Sequence, residues 1–270
     1  MSRNGLTARP NPAPWFYRWR TNLLQTPAFA VVTIFFGSLS LLVSVVDKSG
    51  RMQHDIARIW ARVSVWLTGS SLTVFGAERL GKHPVAVFAC NHTSYMDTPV
   101  VFASLPVQFR ILAKKELWPI PFIGWYLNRS GQLPIDTANP RSSLASLGAA
   151  VKALRAGMPL FVFPEGARTP DGRLGPFLSG AAYLAIRAQV PLVPMAVSGV
   201  FELLPMHTHH FYPSPLTLRV GEPICTEGMT LRQVDELNDR LREAIDGLRV
   251  PVRRGEDSIV EAGASVANDM

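Results

Sequence analysis

The stretch VAVFACNHTSYMD, Val85–Asp97, decides the reading of the fold. Val85–Cys90 is apolar without alternation, the texture of a strand buried on both faces. It runs straight into a polar turn holding His92 and Asp97. The same texture recurs in Phe109–Ala113, Leu160–Phe163 and Leu192–Val197, each bounded by Gly, Pro or polar residues. Helical patterns lie between these runs. Asn139 and Pro140 supply an N-cap and a first-turn proline for a helix whose inward face is Leu144, Leu147, Val151 and Leu154, ending at Gly157. Phe177–Gln189 reads as a second helix. Thr230–Leu248 reads as a third, opened by a capping box of Thr230 and Gln233. Its inward face is Leu231, Val234, Leu237, Leu241, Ile245 and Leu248. Strands alternating with helices define an α/β fold, a sheet with helices on its faces.

Upstream, the chain changes character. Arg3, Arg9, Arg18 and Arg20 are interleaved with Pro10, Pro12, Pro14, Trp15 and Tyr17, and Thr21–Val46 then carries no charged side chain. As a helix rising ~1.5 Å per residue, Ala28–Val46 is long enough to cross a ~30 Å hydrocarbon core. It is too long and starts too late for a secretory signal, and no small-residue cleavage pattern follows it. Asp55–Leu67 then places Ile56, Ile59, Trp60, Val63, Trp66 and Leu67 on one helical stripe, with Arg58 and Arg62 on another face. Such a helix lies at a lipid interface or packs as a core helix on the following domain. Basic residues flank the apolar run on both sides, which a hairpin with both ends on one membrane face satisfies better than a single span. The expected organisation is a basic segment at 1–20, a membrane-associated helical hairpin at 21–69, a globular domain at 70–249 and a loose tail at 250–270.

Composition bounds the function classes. Hydrophobic residues make up 47% of the 270 and charged residues only 17%, against a soluble norm nearer ~25%. The formal net charge of +7 suits nucleic acid or an anionic membrane surface. The basic residues are scattered, and no helix-turn-helix or RNA-binding signature accompanies them, so nucleic acid is not the expected partner. The two cysteines, Cys90 and Cys225, make neither a disulfide framework nor a zinc spacing.

Three segments carry candidate chemistry. His92 follows the first buried strand, where α/β sheets collect their ligands. Asp97, five residues on across a tight turn, is placed to hold the imidazole Nδ1–H and leave Nε2 free as a base. Phe163-Pro164-Glu165-Gly166-Ala167-Arg168 follows another buried strand. Glu165 and Arg168, with Gly166 allowing close backbone approach, suit an anionic headgroup; a surface turn with a local ion pair is the plain alternative. Lys114 and Lys115 form a basic pair after a third strand, and by themselves read as a solvated edge. Met206-His207-Thr208-His209-His210 has histidines but no neighbouring carboxylate, and reads as a surface or membrane-proximal loop. Trp118 and Trp125, with Pro119 and Pro121, shape the sheet edge or the membrane approach.

The order of these blocks, NHxxxxD at Asn91–Asp97, then AKKEL, then FPEGxR at Phe163–Arg168, then VPLVPMAV, resembles the 1-acyl-sn-glycerol-3-phosphate acyltransferase family from about Arg51 to Leu248. The resemblance implies a mainly parallel sheet wrapped by helices, with a hydrophobic tunnel for the acyl chain. It implies His92 as general base and Asp97 as its orienting partner, acting on the free hydroxyl of a lysolipid without an acyl-enzyme. No G-x-S-x-G elbow is present, and Cys90 precedes the motif, which agrees. Glu165, Gly166 and Arg168 match the acceptor-phosphate motif, with Lys114 and the adjoining Lys115 as further basic positions. Acyl-CoA or acyl carrier protein is the implied donor, lysophosphatidate the acceptor, and no metal or organic cofactor is implied. The resemblance also implies work on membrane lipids, with the cytoplasmic face of an inner membrane as the expected location.

Two positions depart from the family pattern. Thr137 stands where relatives commonly have Arg, and Leu178 where they commonly have Lys. Arg141 is near enough in sequence to replace the first. Each charge-assisted hydrogen bond contributes about 1.5–3 kcal/mol, so a different lysolipid acceptor, such as a lyso-aminolipid, stands as the second reading. A non-catalytic lipid-binding adaptor is the third, and the presence of both His92 and Asp97 argues against it.

Overall fold

The computed structural model describes residues 15–136, 140–206 and 208–250. Residues 1–14 of the expected basic segment 1–20, Thr137, Asn139, His207 and the tail from Pro251 lie outside the described residues, as does the side chain of Arg141.

Seven strands form one sheet: β1 (Leu72–Phe75), β2 (Val87–Cys90), β3 (Arg110–Lys114), β4 (Leu133–Ile135), β5 (Leu160–Val162), β6 (Leu192–Ser198) and β7 (Leu216–Val220). Their order is β1-β7-β6-β2-β5-β3-β4. All neighbours are parallel except β6 and β7. The mainly parallel α/β sheet expected from the sequence is therefore present. Helices α4 (Asp97–Ser104), α5 (Ile123–Arg129), α6 (Pro140–Arg155) and α7 (Gly180–Ala188) are the crossovers that parallel strands require. The four-residue α8 (Val200–Leu203) and the long α9 (Val234–Leu248) flank β7 in sequence.

Strand β2 shows why the central runs lack alternation. Phe88 and Cys90 join a core that also holds Val100 and Val101 of α4, whereas Val87 and Ala89 join a second core with Leu184 of α7 and Leu241 of α9. Both faces are covered, so both must be apolar. Three strands lie outside the runs read from sequence. β1 alternates half-buried with exposed residues. β7 pairs with β1 across the chain, Leu72 opposite Leu216. β4 is an edge strand whose central residue is Pro134, tolerated because an edge leaves one side without a ladder.

The helices need small corrections. The second begins at Gly180 rather than Phe177, because 174–178 is extended loop that folds back on the strand ends. Leu144 is 63% exposed and Leu231 44% exposed, so neither faces inward as expected. Leu144 lies in the first turns of α6, and Leu231 in a separate 3-10 turn before α9. The capping box of Thr230 and Gln233 is formed.

At the N-terminal side, α1 (Trp15–Arg20), a π-turn at Thr21–Gln25 and α2 (Thr26–Val43) make one helix, Trp15–Val43, of 29 residues. It is the one helix among the described residues long and apolar enough to cross a membrane, and 6% of its most apolar window is buried. Helix α3 (Arg51–Thr68) returns antiparallel beside it. Trp60 Nε1 donates to Thr33 Oγ1 at 3.1 Å, and Gln25 Nε2 to the Leu67 carbonyl at 2.9 Å. The two helices pack side by side as a hairpin, and the first begins at Trp15, inside the segment 1–20 expected to precede it. Both ends of the hairpin are fastened to the domain. At the base, Arg20 donates to the Phe211 carbonyl and Phe29 stacks on Phe211. At the tip, Arg110 reaches the carbonyls of Ser49 and Ser130. A cleft of about 410 Å³, lined by Leu41, Ser44, Val45, Trp125, Asn128 and Arg129, separates the tip from α5.

Candidate active site

In parallel sheets ligands gather at the carboxyl edge, and three of the sequence candidates lie there on adjacent strands. β2 leads into Asn91–Asp97, β5 into Phe163–Arg168, and β3 ends at Lys114. Asn91 fixes the first turn: its Nδ2 donates to the Val197 carbonyl at 3.0 Å, and its Oδ1 accepts from Val197 N–H at 2.8 Å. This pair extends the bond between β2 and β6 past the end of the strand. Ser94 Oγ donates to the Leu204 carbonyl at 2.9 Å, tying the far side of the turn.

Asp97 opens α4 and is fully buried. Its Oδ2 accepts from His92 Nδ1 at 2.8 Å, Thr93 N–H at 2.6 Å and Ser94 N–H at 2.8 Å. A carboxylate suits the positive end of a helix. Because this oxygen only accepts, Nδ1 carries the proton, and Nε2 is left as the basic nitrogen. Phe163 stacks on the imidazole, centroids 4.0 Å apart and planes 15° from parallel, and so restricts ring rotation. Cys90 lies under the turn, and burial pushes its thiol well above the usual range, a poor setting for a nucleophile.

The FPEGAR loop is stitched to His92 on both sides of the residue. His92 N–H donates to Glu165 Oε1 at 2.6 Å, and Thr169 N–H donates to the His92 carbonyl at 3.0 Å. Glu165 Oε2 accepts from Gly175 N–H at 2.7 Å. Arg242 of α9 in turn donates to the Gly175 and Leu174 carbonyls. Burial raises the Glu165 carboxyl above its ordinary value, opposed by the two amides it accepts. Both of its oxygens are thus engaged by the chain itself, and the geometry gives Glu165 a part in fixing His92 rather than in gripping an anion. Gly166 has φ +67°, and a Cβ there would lie 2.6 Å from Leu178 Cδ1. Leu178 therefore packs on the one residue of the loop that can accept it, and donates its N–H to the Pro164 carbonyl at 2.7 Å.

Arg168 is half-buried, with its guanidinium carbon 3.5 Å from the centre of the Tyr95 ring. The cation is thereby held against the turn that carries His92. Lys114 is exposed at the end of β3, two strand spacings or about 10 Å from β2. Lys115 turns toward Asp136 beyond β4, Nζ to Oδ2 3.6 Å, on the side of β3 away from β2. The structure thus joins His92, Asp97, Glu165, Gly166 and Arg168, and leaves Lys115 apart. Residue-level reading of the sequence missed Phe163, Tyr95, Gly175 and the bridge made by Asn91. Only Asn91 and Phe163 offered a signal, as polar and aromatic residues directly at strand ends.

A half-buried imidazole thus sits on a buried carboxylate at the carboxyl edge of the sheet, laced to a loop that presents a guanidinium, and similarity to known proteins places the chain in the acyltransferase family. A sequence model described as Acyltransferase matches residues 71–198. Among individual relatives, the 1-acyl-sn-glycerol-3-phosphate acyltransferase of Limnanthes alba is 32% identical over 77% of this chain and 75% of its own. The chloroplastic enzyme of that name from Brassica napus is 33% identical over 57% of this chain, and the match spans 45% of the longer plant protein. The crystal structure of the 1-acyl-sn-glycerophosphate acyltransferase from Thermotoga maritima superposes with a TM-score of 0.72 at 26% identity, over 86% of this chain and 96% of that one.

Proposed function

We propose that the protein acylates the free sn-2 hydroxyl of 1-acyl-glycerol-3-phosphate, from acyl-CoA or acyl carrier protein, to give phosphatidic acid. The observation that carries this reading is the pair of hydrogen bonds between the two loops, His92 N–H to the Glu165 carboxylate and Thr169 N–H to the His92 carbonyl. They hold Arg168 one residue from Thr169, which is bonded to His92, so a single glycerol phosphate can meet the base and the cation together. His92 Nε2 takes the hydroxyl proton while the oxygen attacks the thioester carbonyl. Asp97 stabilises the resulting imidazolium. Collapse of the tetrahedral species breaks the C–S bond, and the leaving thiolate receives the proton from the imidazolium. The activated acyl group arrives on its carrier, so the reaction as written calls for no metal or organic cofactor.

The hairpin supports a monotopic placement, on our reading at the cytoplasmic face of an inner membrane. A helix of 29 residues is about 43 Å long, enough to span, yet its base and its tip are both bonded to one domain. Lying along the domain, it dips apolar side chains into one leaflet, where the lysolipid resides. The formal charge of +7 draws the protein to anionic headgroups.

The test is phosphatidate formation by the purified protein in mixed micelles, followed by mass spectrometry. His92→Ala is expected to abolish it; a fully active variant refutes the base assignment. One observation favours a second acceptor: Leu178, an apolar residue, covers Gly166 at the position where the family resemblance leads to the expectation of a cation. Faster turnover of a lyso-aminolipid than of lysophosphatidate establishes that reading instead.

A further inference from the structure

We propose that Tyr95 is a positioning residue that sets affinity for the anionic acceptor, a role that rests on the acyl-transfer reading above. Its ring lies face-on beneath the Arg168 guanidinium, 3.5 Å from centre to cation carbon. The ring face steadies the cation carbon, while the N–H donors of Arg168, engaged by no protein group among the described residues, stay available for an oxyanion. Among the described residues the Arg168 side chain makes no hydrogen bond and no ion pair, and the Tyr95 ring is what restrains it. The platform itself is rigid. Residues on both sides of Tyr95 are bonded in place, Ser94 N–H to Asp97 Oδ2 and Met96 N–H to Ser94 Oγ, and Ser94 Oγ in turn to the Leu204 carbonyl.

A tyrosine in the middle of a buried turn has no packing reason to stand out. Tyr95 is nonetheless 70% exposed, whereas its neighbours Ser94 and Met96 are buried. The ring also sits within the turn that carries His92, so the cation it holds moves with the base. Without the ring, Arg168 has a long flexible stem and several rotamers to lose on binding, a cost that falls on acceptor affinity and not on the proton transfer.

The experiment compares Tyr95→Leu, Tyr95→Phe, Arg168→Ala and the Tyr95→Leu/Arg168→Ala double variant in mixed micelles of lysophosphatidate at saturating acyl-CoA. Loss of an aromatic–cation contact is expected to raise the KM of Tyr95→Leu for lysophosphatidate about three- to thirty-fold, with kcat changed by less than about twofold. Tyr95→Phe keeps the ring and is expected to restore KM. The double variant is expected to be no worse than Arg168→Ala alone. Leucine preserves an apolar contact with lipid, so a KM for Tyr95→Leu equal to that of Tyr95→Phe overturns the proposal, as does additivity in the double variant or a loss confined to kcat. Absence of acyl transfer by the wild-type protein refutes the acyl-transfer reading instead. Calorimetric titration of the same four proteins with lysophosphatidate then decides the role of Tyr95 independently, by whether Tyr95→Leu weakens binding and Tyr95→Phe does not.

Discussion

His92 is held from several directions at once: Asp97 at Nδ1, Phe163 across a ring face, and Glu165 and Thr169 at its backbone. The carboxylate of Asp97 is used unevenly. Oδ2 carries three donors, while Oδ1 is buried with no partner. An amide at this position can keep its oxygen at the crowded corner and turn its amino group to the empty one without displacing a bond. Asp97→Asn is therefore expected to retain the fold and the imidazole orientation and to lose the charge that balances the imidazolium. Steady-state rates should show kcat lowered about 10²–10⁴-fold, with a thermal midpoint only a few degrees lower. The types and spacing of His92, Asp97 and Arg168 were legible because their chemistry resides in the side chains themselves. The work of Glu165 was not, because it depends on the amide of a residue 73 positions away and on how two loops dock. Tyr95 escaped for the same reason: nothing along the chain says which ring will meet which cation.

Among the elements, the buried strands β2, β3, β5 and β6 were readable because covering a sheet on both faces forces continuous apolar runs. Strands β1, β4 and β7 were not, since short edge or half-exposed strands owe their existence to partners distant in sequence. The most informative element is α3. Its apolar stripe was legible, and the structure shows one face of the helix packed on the domain and another left exposed. The face against the domain is made of Gln53, His54, Ala57, Ala61, Ser64, Val65 and Thr68, while Ile59 and Trp66 stand exposed and Trp60 leans on α2. Small residues let the helix approach α4 closely, and the bulkiest apolar residues are turned outward. A core helix would do the reverse. Ile59 and Trp66, seven residues apart, are aligned for a lipid surface. The double variant Ile59→Lys/Trp66→Lys is expected to lose vesicle binding by about an order of magnitude or more. Its thermal midpoint should stay near wild type, because neither residue contributes to the core. Co-sedimentation with anionic liposomes, alongside thermal unfolding in detergent, checks both halves.

Across the whole molecule, the hairpin and the domain act as one body only while the seam between them holds, and that seam contains a histidine. His54 of α3 donates through Nε2 to the Val107 carbonyl, 3.1 Å away, and packs between the rings of Phe102 and Phe109. A carbonyl only accepts, so Nε2 carries the proton and Nδ1 is bare, buried and unpartnered. Burial, helped by Arg58 and Arg110, lowers its pKa from 6.5 to about 4. Below pH 6.5 the unfolded chain gains a proton there that the folded chain declines until about pH 4. Stability from this group is therefore level above 6.5 and falls as pH drops through that window, by an amount on the order of a few kcal/mol. Glu165, whose carboxyl is raised, works in the opposite sense, because the folded state protonates first as pH falls toward the ordinary carboxylate range. Replacing His54 with Phe keeps the aromatic packing and removes the titration. The thermal midpoint of the wild-type protein is expected to drop more steeply between pH 6.5 and 4 than that of His54→Phe, and equal slopes in the two melting series would show that the seam does not sense protons at this residue.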